Sequence, residues 1–330
     1  MEDAHIAMPS LGAVRHHRNG WADTALFAVL DGHGGENVAL FCQRHLPREI
    51  ASGPSEDIPT SLVDAFHRMD EMLDNPGNLG EFRSLMHGIS PQAAMKSWSA
   101  HPNSIGSTAV VCCVRKNTLF VANAGDSRAV LCRQGRAVPL SEDHKPNHPG
   151  ERARIVKAGG TVVEQHFGPF TQYRVNGNLN LSRSIGDLTY KRQRSLSHKE
   201  QMICSTPEVQ TFTLTPADEF MVLACDGVWD VLTNEQVVDH VRHCLGDPSQ
   251  LERRLHSGEF RLSAVVEGLL DRCMSPDLQQ TMGLGGDNMT AVLVVFLRSV
   301  DISTSSLAYG GGFDSWLSNS RGSKWVCPHC

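Results

Sequence analysis

Four times along this chain a short apolar run of strand type meets an aspartate beside a glycine, and this recurrence constrains the fold more than any other feature. Phe27-Ala28-Val29-Leu30 runs into Asp31-Gly32-His33-Gly34-Gly35, and Val121-Ala122-Asn123-Ala124 runs into Gly125-Asp126. Met221-Val222-Leu223-Ala224-Cys225 runs into Asp226-Gly227, while Gly286-Asp287-Asn288 comes just before Met289-Thr290-Ala291-Val292. Apolar strands belong in a core, so each junction carries a carboxylate to the mouth of that core. The glycines let backbone approach a ligand closely. Taken alone, the Asp31 junction also fits a strand-to-helix turn with aspartate as N-cap.

The rest of the chain alternates strand and helix patterns. Strands are expected over 25–30, 107–114, 118–122, 129–132, 137–140, 220–225 and 290–297. The connections at 115–117, 125–127 and 133–135 are so short that each predicts antiparallel neighbours. Helices are expected over 37–50, over 151–158 up to Gly159-Gly160, and over 262–273. Another follows Leu62, Phe66, Met69 and Leu73 and ends near Asn75-Pro76-Gly77. Thr233-Asn234-Glu235-Gln236 fits a capping box, ahead of a stripe of Val237, Val238, Val241, Cys244 and Leu245. Segments 11–23 and 171–190 read as loops, the latter holding Arg174, Arg183 and Asp187, and 80–104 reads as an irregular loop with room for a short helix. One domain over 1–298 and a flexible serine- and glycine-rich tail over 299–330 are expected.

With 36 acidic against 30 basic residues the net charge is −6, which argues against general affinity for nucleic acid or an anionic membrane. Lys191-Arg192-Gln193-Arg194 is only a local basic patch. No 18-residue apolar run appears, and Met1-Glu2-Asp3-Ala4-His5 reads as neither signal peptide nor myristoylation site. A soluble monomer of the cytoplasm or nucleus is expected. The ten cysteines lie mostly in apolar segments, as reduced thiols do. Only Cys327-Pro328-His329-Cys330 looks arranged, and without a second pair it reads as a disordered end rather than a zinc site.

Aspartates gathered at strand ends suit Mg²⁺ or Mn²⁺, which take oxygen ligands. Without a cation they need wide spacing, because like charges raise one another's pKa. The ligand alternation of an EF-hand and the Gly-Lys pair of a P-loop are both missing. Cys42 to Arg48 has the Cys-x5-Arg spacing of cysteine-dependent phosphatases, but Gln43-Arg44-His45-Leu46-Pro47 continues an amphipathic helix and lacks glycines for an anion nest. His33, two residues past Asp31, is placed to donate a proton to a leaving oxygen, a task worth about 10²–10⁴ in rate.

In chain order, Met1-Glu2-Asp3-Ala4-His5, Asp31-Gly32-His33-Gly34-Gly35, Gly106-Ser107-Thr108-Ala109, Ala124-Gly125-Asp126-Ser127-Arg128, Ser182-Arg183-Ser184-Ile185-Gly186-Asp187, Asp226-Gly227-Val228-Trp229-Asp230 and Gly286-Asp287-Asn288 resemble the metal-dependent protein serine/threonine phosphatases of type 2C. The resemblance covers about residues 1–298. It implies an α+β fold of two stacked antiparallel β-sheets flanked by helices, with two Mg²⁺ or Mn²⁺ ions at one end and phosphoproteins as substrates. It implies that Asp31 bridges the two metals, with Asp226 and Asp287 on one and the Gly32 carbonyl on the other. Glu2 reaches the second metal, Asp3 orients metal-bound water, and Asp126, Asp226 and Asp230 match a third position. His33 matches the general acid. The implied mechanism is in-line attack on phosphorus by a metal-bridging water, its pKa lowered from about 15.7 toward about 7, without a phosphoenzyme.

One departure stands out: the family's first strand, with its phosphate-gripping arginine, precedes Met-Glu-Asp-Ala-His, whereas this sequence starts at Met1. Either the sequence is truncated or another cation, such as Arg183, substitutes, and Glu2 and Asp3 are then expected on a frayed end. A catalytically silent phosphatase-like binding module and a phosphohydrolase of small esters are the two competing readings.

Overall fold

The computed structural model describes residues 1–14, 19–85, 101–168, 170–298, 305–309, 317–318 and 324–325. In chain order the strands used below are β1 Ala4–Met8, β2 Thr24–Leu30, β3 Gly32–His33, β4 Gly106–Ser107, β5 Ala109–Arg115, β6 Thr118–Ala124, β7 Arg128–Arg133, β8 Arg136–Pro139, β9 Val162–Phe167, β10 Phe170–Val175, β11 Ile185–Gly186, β12 Glu208–Thr213, β13 Asp218–Ala224, β14 Ala291–Arg298 and β15 Ser305–Tyr309. The helices are α1 Asn37–Ser52, α2 Ile58–Asp74, α3 Leu79–Ser84, α4 Pro149–Lys157, α5 Asp226–Trp229, α6 Asn234–Leu245, α7 Pro248–His256 and α8 Leu262–Cys273.

Two five-stranded antiparallel sheets carry the architecture, one ordered β1-β2-β5-β6-β12 and the other β15-β14-β13-β7-β8. Side chains alternate across each strand, so each sheet has two apolar faces to bury. Phe27, Val29, Val110 and Val121 of the first sheet meet Leu131, Met221, Leu223 and Val292 of the second, forming the layer between them. The opposite face of the first sheet, with Leu26, Ala28, Val111 and Ala122, packs on Phe41 and Leu46 of α1 and Leu62 and Phe66 of α2. Outside the second sheet, Val130, Val222 and Leu293 pack on Val237 and Val241 of α6 and Val265 and Leu269 of α8. The expected helix–sheet–sheet–helix sandwich is therefore present.

The expected helices 37–50 and 262–273 form, and the capping box of α6 closes with Thr233 accepting from the Gln236 N–H and Gln236 accepting from the Thr233 N–H. Three expectations need correction. The 125–127 connection does not join hairpin neighbours: β6 pairs with β5 and β12, whereas β7 pairs with β13 and β8 in the other sheet, so Gly125-Asp126-Ser127 crosses between the layers. A short connection turns the chain back, but burial decides which sheet receives it. The strand expected over 107–114 splits at Thr108, and Gly106–Ser107 joins a small separate ribbon ordered β11-β4-β3. Part of the 171–190 loop is strand, since β10 pairs along its length with β9.

The helix α7 gave no signal strong enough to be expected. No helix of the described residues is long and apolar enough to cross a membrane. Residues 86–100 of the expected 80–104 loop, and Cys327-Pro328-His329-Cys330, lie outside the described residues; of the expected tail, 305–309 forms β15 against β14.

Candidate active site

Strand register brings the acids to one end of the sandwich. Ala4 pairs with Leu30, so Glu2 and Asp3, just before β1, lie beside Asp31, just after β2. Val29 pairs with Val110 and Ala109 with Ala124, which carries the β6–β7 crossover and Asp126 to the same end. In the second sheet Arg128, Ala224 and Ala291 are aligned across three strands, placing Asp226 and the segment of Asp287 there too. Acids from widely separated stretches of chain thus share one mouth because all their strands enter or leave the core there.

Backbone contacts tighten this mouth. The Glu2 N–H donates to Asn288 Oδ1 at 2.7 Å, so the chain start is tied to the residue after Asp287 rather than frayed. Gly32 lies so close to the Glu2 carbonyl, and Gly227 to the Asn288 carbonyl, that a Cβ at either position would collide with backbone. The Thr108 N–H donates to the Asp31 carbonyl at 2.8 Å, and Thr108 Oγ1 meets Ser127 Oγ at 2.7 Å, joining the Asp31 turn to the Asp126 turn. Gly125 makes that crossover with φ +124°, a backbone region that side chains avoid, while packed on Thr108. Trp229 Nε1–H donates to the Ala224 carbonyl at 2.8 Å and pins the short α5 turn between Asp226 and Asp230.

The electrostatics follow from this crowding. Burial pushes Asp31 up to about 10, with the charges of Asp226, Asp3, Asp126 and Asp287 adding to the effect. Burial likewise pushes Asp226 up to about 8, reinforced by Asp126 and Asp230 and opposed by Lys145. Asp3 is raised chiefly by burial, against the opposing influence of nearby Thr290, Cys225 and Asp31, and neither of its buried carboxylate oxygens is within good hydrogen-bond geometry of a donor. Lys145, which the sequence did not single out, brings a cation into this cluster, with Nζ 2.5 Å from Asp126 Oδ2. The signal for it was available in Asp143-His144-Lys145-Pro146, a polar cluster ahead of a helix.

Among the described residues, no group of three or more His, Cys, Asp or Glu side chains is arranged tightly enough to hold a metal ion as it stands. The donor chemistry nevertheless fits hard divalent cations. Asp3 presents two buried carboxylate oxygens, and burial, reinforced by the neighbouring carboxylates, raises Asp31 and Asp226, a penalty that a bound cation would relieve.

His33 enters through the small ribbon. It pairs with Gly106 in β4, which pairs with Gly186 in β11, and this brings Asp187 alongside. His33 Nε2–H donates to Asp187 Oδ2 at 2.7 Å. Burial opposes charge on the imidazole, but the Asp187 carboxylate outweighs it, so His33 titrates above its ordinary value.

Arg183 is employed elsewhere: it donates to Glu151 through Nε and Nη2 and to the Thr206 carbonyl through Nη1 at 3.0 Å. Arg154 donates to the same glutamate at 2.7 Å, so Arg183 serves a buried ion network under α4 rather than the acid mouth. Beside the mouth opens a groove of about 750 Å³, whose walls include Lys145, His148, Tyr173, Arg174, Asp230 and Asp287.

Residues 1–282 match the family model described as protein phosphatase 2C. The chain is 39% identical over 325 residues to probable protein phosphatase 2C 60 of Arabidopsis thaliana, covering 90% of this chain and 82% of that protein. It is 38% identical over 301 residues to protein phosphatase 2C 1 of Paramecium tetraurelia, covering 90% and 88%. Among solved structures, a phosphatase from a pathogenic strain of Toxoplasma gondii superimposes with a TM-score of 0.63 at 23% identity, covering 93% of this chain and 91% of that one, a likeness of fold.

Proposed function

The chain belongs to the protein phosphatase 2C family and is a protein serine/threonine phosphatase, and from this premise we propose that it hydrolyses phosphoserine and phosphothreonine with Mg²⁺ or Mn²⁺ held at the mouth of the sandwich. Asp31, Asp226 and Asp287, with Glu2 and the Gly32 carbonyl, would hold two cations; Asp126 and Asp230, with Asp226, would hold a third. Asp3, with its buried oxygens, would orient water. When bound, such cations activate water and neutralise charge on the transferring phosphoryl group.

The chain's own residues do the rest. The groove beside Asp230 and Asp287 has the size to admit a peptide carrying the phosphate, with Lys145 and Arg174 as its cations. His33 protonates the departing serine or threonine oxygen. A cysteinyl phosphoenzyme is disfavoured: Cys42 is fully buried inside α1, and burial raises the Cys225 thiol well above its ordinary value.

The single observation that supports this reading best is the convergence of Asp3, Asp31, Asp126, Asp226 and Asp287 on one electrostatically strained mouth. The test is release of phosphate from a phosphoserine peptide with Mn²⁺, before and after chelation. Activity should vanish with chelator, return with Mn²⁺, and fall at least 10²-fold in Asp31→Asn. Turnover that persists through chelation would sink the metal-dependent reading, and a properly folded, Mn²⁺-loaded chain without turnover would favour a silent binding module.

A further inference from the structure

We infer that Asp187 is a positioning residue for His33: it holds the imidazole by Nε2 and leaves Nδ1 as the ring atom that exchanges a proton with the substrate. The inference rests on the reading of His33 as general acid, and it assigns a role to a residue outside the proposed metal set.

The geometry is built from three separate stretches of chain. His33 Nε2 lies 2.7 Å from Asp187 Oδ2, and the side chain of Asp187 is only 2% exposed against 26% for His33. Nε2 is therefore the ring nitrogen already engaged, by a carboxylate that is itself closed to solvent. Ser184 Oγ–H donates to the same Asp187 oxygen at 2.6 Å, and the Asp187 N–H donates to the Ile105 carbonyl at 2.9 Å. Asp187 adopts φ +49°, a left-handed conformation uncommon outside glycine, which turns its carboxylate back on the ribbon. Gly106 leaves the space in which the two side chains meet, since a Cβ there would lie against both Asp187 Oδ2 and His33 Nε2.

This loop is braced from behind by α2. Asp70 accepts from the Gly186 N–H at 2.8 Å and from Lys191 Nζ at 2.7 Å, and Lys191 also donates to the Ser184 carbonyl at 2.7 Å. Both charged side chains are nearly buried, so the brace is stiff. A carboxylate that accepts from one imidazole nitrogen sets the tautomer and ring orientation, leaving the other nitrogen for chemistry. As the P–O bond breaks, its electron pair moves to the seryl oxygen, which takes the proton from Nδ1 of the imidazolium. The neutral ring keeps its Nε2–H on Asp187, and the attacking water contributes the oxygen on phosphorus and releases its second proton to solvent.

The test compares two substrates with opposite need for an acid. A phosphoserine peptide has a poor leaving group, whereas p-nitrophenyl phosphate leaves without protonation. With Mn²⁺ and the full chain, Asp187→Ala should lower kcat on the peptide by about 10–100-fold and leave the aryl ester within about 3-fold. His33→Gln should show the same selectivity, and the double variant should be no worse than His33→Gln alone. Equal loss on both substrates in Asp187→Ala, or a further loss in the double variant, would overturn the inference. If His33→Gln is itself unselective, the general-acid reading falls and takes the inference with it; if His33→Gln is selective and Asp187→Ala is not, only the role of Asp187 falls. Ring ¹⁵N NMR, assigned with His33→Gln and recorded at a pH where the ring is neutral, should show the Nε2–H tautomer in the native chain. The opposite tautomer refutes the proposal, and isosteric Asp187→Asn carries the kinetic test should the alanine variant unfold.

Discussion

Replacing Asp226 by asparagine should stabilise the metal-free protein while weakening its response to metal. Burial and the neighbouring carboxylates push Asp226 up to about 8 in the fold, whereas the unfolded chain releases that proton near 3.8. Between these values the folded state binds more protons than the unfolded one, so stability falls as pH rises through that window. The part of that window already crossed at pH 7 corresponds to about 4 kcal/mol, and solvent screening of a partly exposed carboxylate reduces this to about 1–2 kcal/mol. Asparagine removes the ionisation without removing the shape. In chelator at pH 7 the variant should melt about 2–4 °C above the native chain, with the gap closing toward pH 4. With Mn²⁺ at about 100 times its dissociation constant the native chain should gain about 2.7 kcal/mol, and the variant clearly less. Calorimetry in chelator and in Mn²⁺ reads both arms. An Asp226→Asn chain that melts lower in chelator, or gains as much from Mn²⁺ as the native chain, would refute the claim that these acids strain the fold for want of positive charge.

Two further outcomes test other parts of the structure. Burial works against the Glu151 carboxylate, but Arg183 and Arg154 hold it down at about 2, so its contribution is complete above the unfolded value of 4.5 and disappears as pH falls toward 2. Glu151→Gln should therefore cost about 3 kcal/mol at pH 7, measured by urea denaturation, and little near pH 2. Gly106→Ala should separate His33 from Asp187 and lower peptide turnover about 10–100-fold while Mn²⁺ binding, measured by calorimetry, is kept.

The apolar runs of 25–30 and 220–225, and the periodicity of α1, α2 and α8, are local properties, and local properties are legible in a sequence alone. The acids of the mouth are legible as a set through their recurring place at strand ends beside glycine and through resemblance to a family. Local pattern is silent on which sheet a strand joins. The three-residue crossover at Asp126 looks like a hairpin turn in sequence, and only the burial of β6 and β7 on different sheets makes it a bridge between layers. Arg183 shows the same limit, since a lone cation in a loop suits a phosphate until tertiary packing places Glu151 and Arg154 against it.

By itself, then, the sequence determined most of the strands and longer helices, the acidic strand ends and the family. Tertiary structure decided their meeting: strand register carried Glu2 to Asn288, and the ribbon of β3, β4 and β11 carried His33 to Asp187 across 154 positions. The physical reason is that hydrophobic pattern acts over a few residues, whereas a pair of charges is set by which backbones hydrogen-bond after the core has closed.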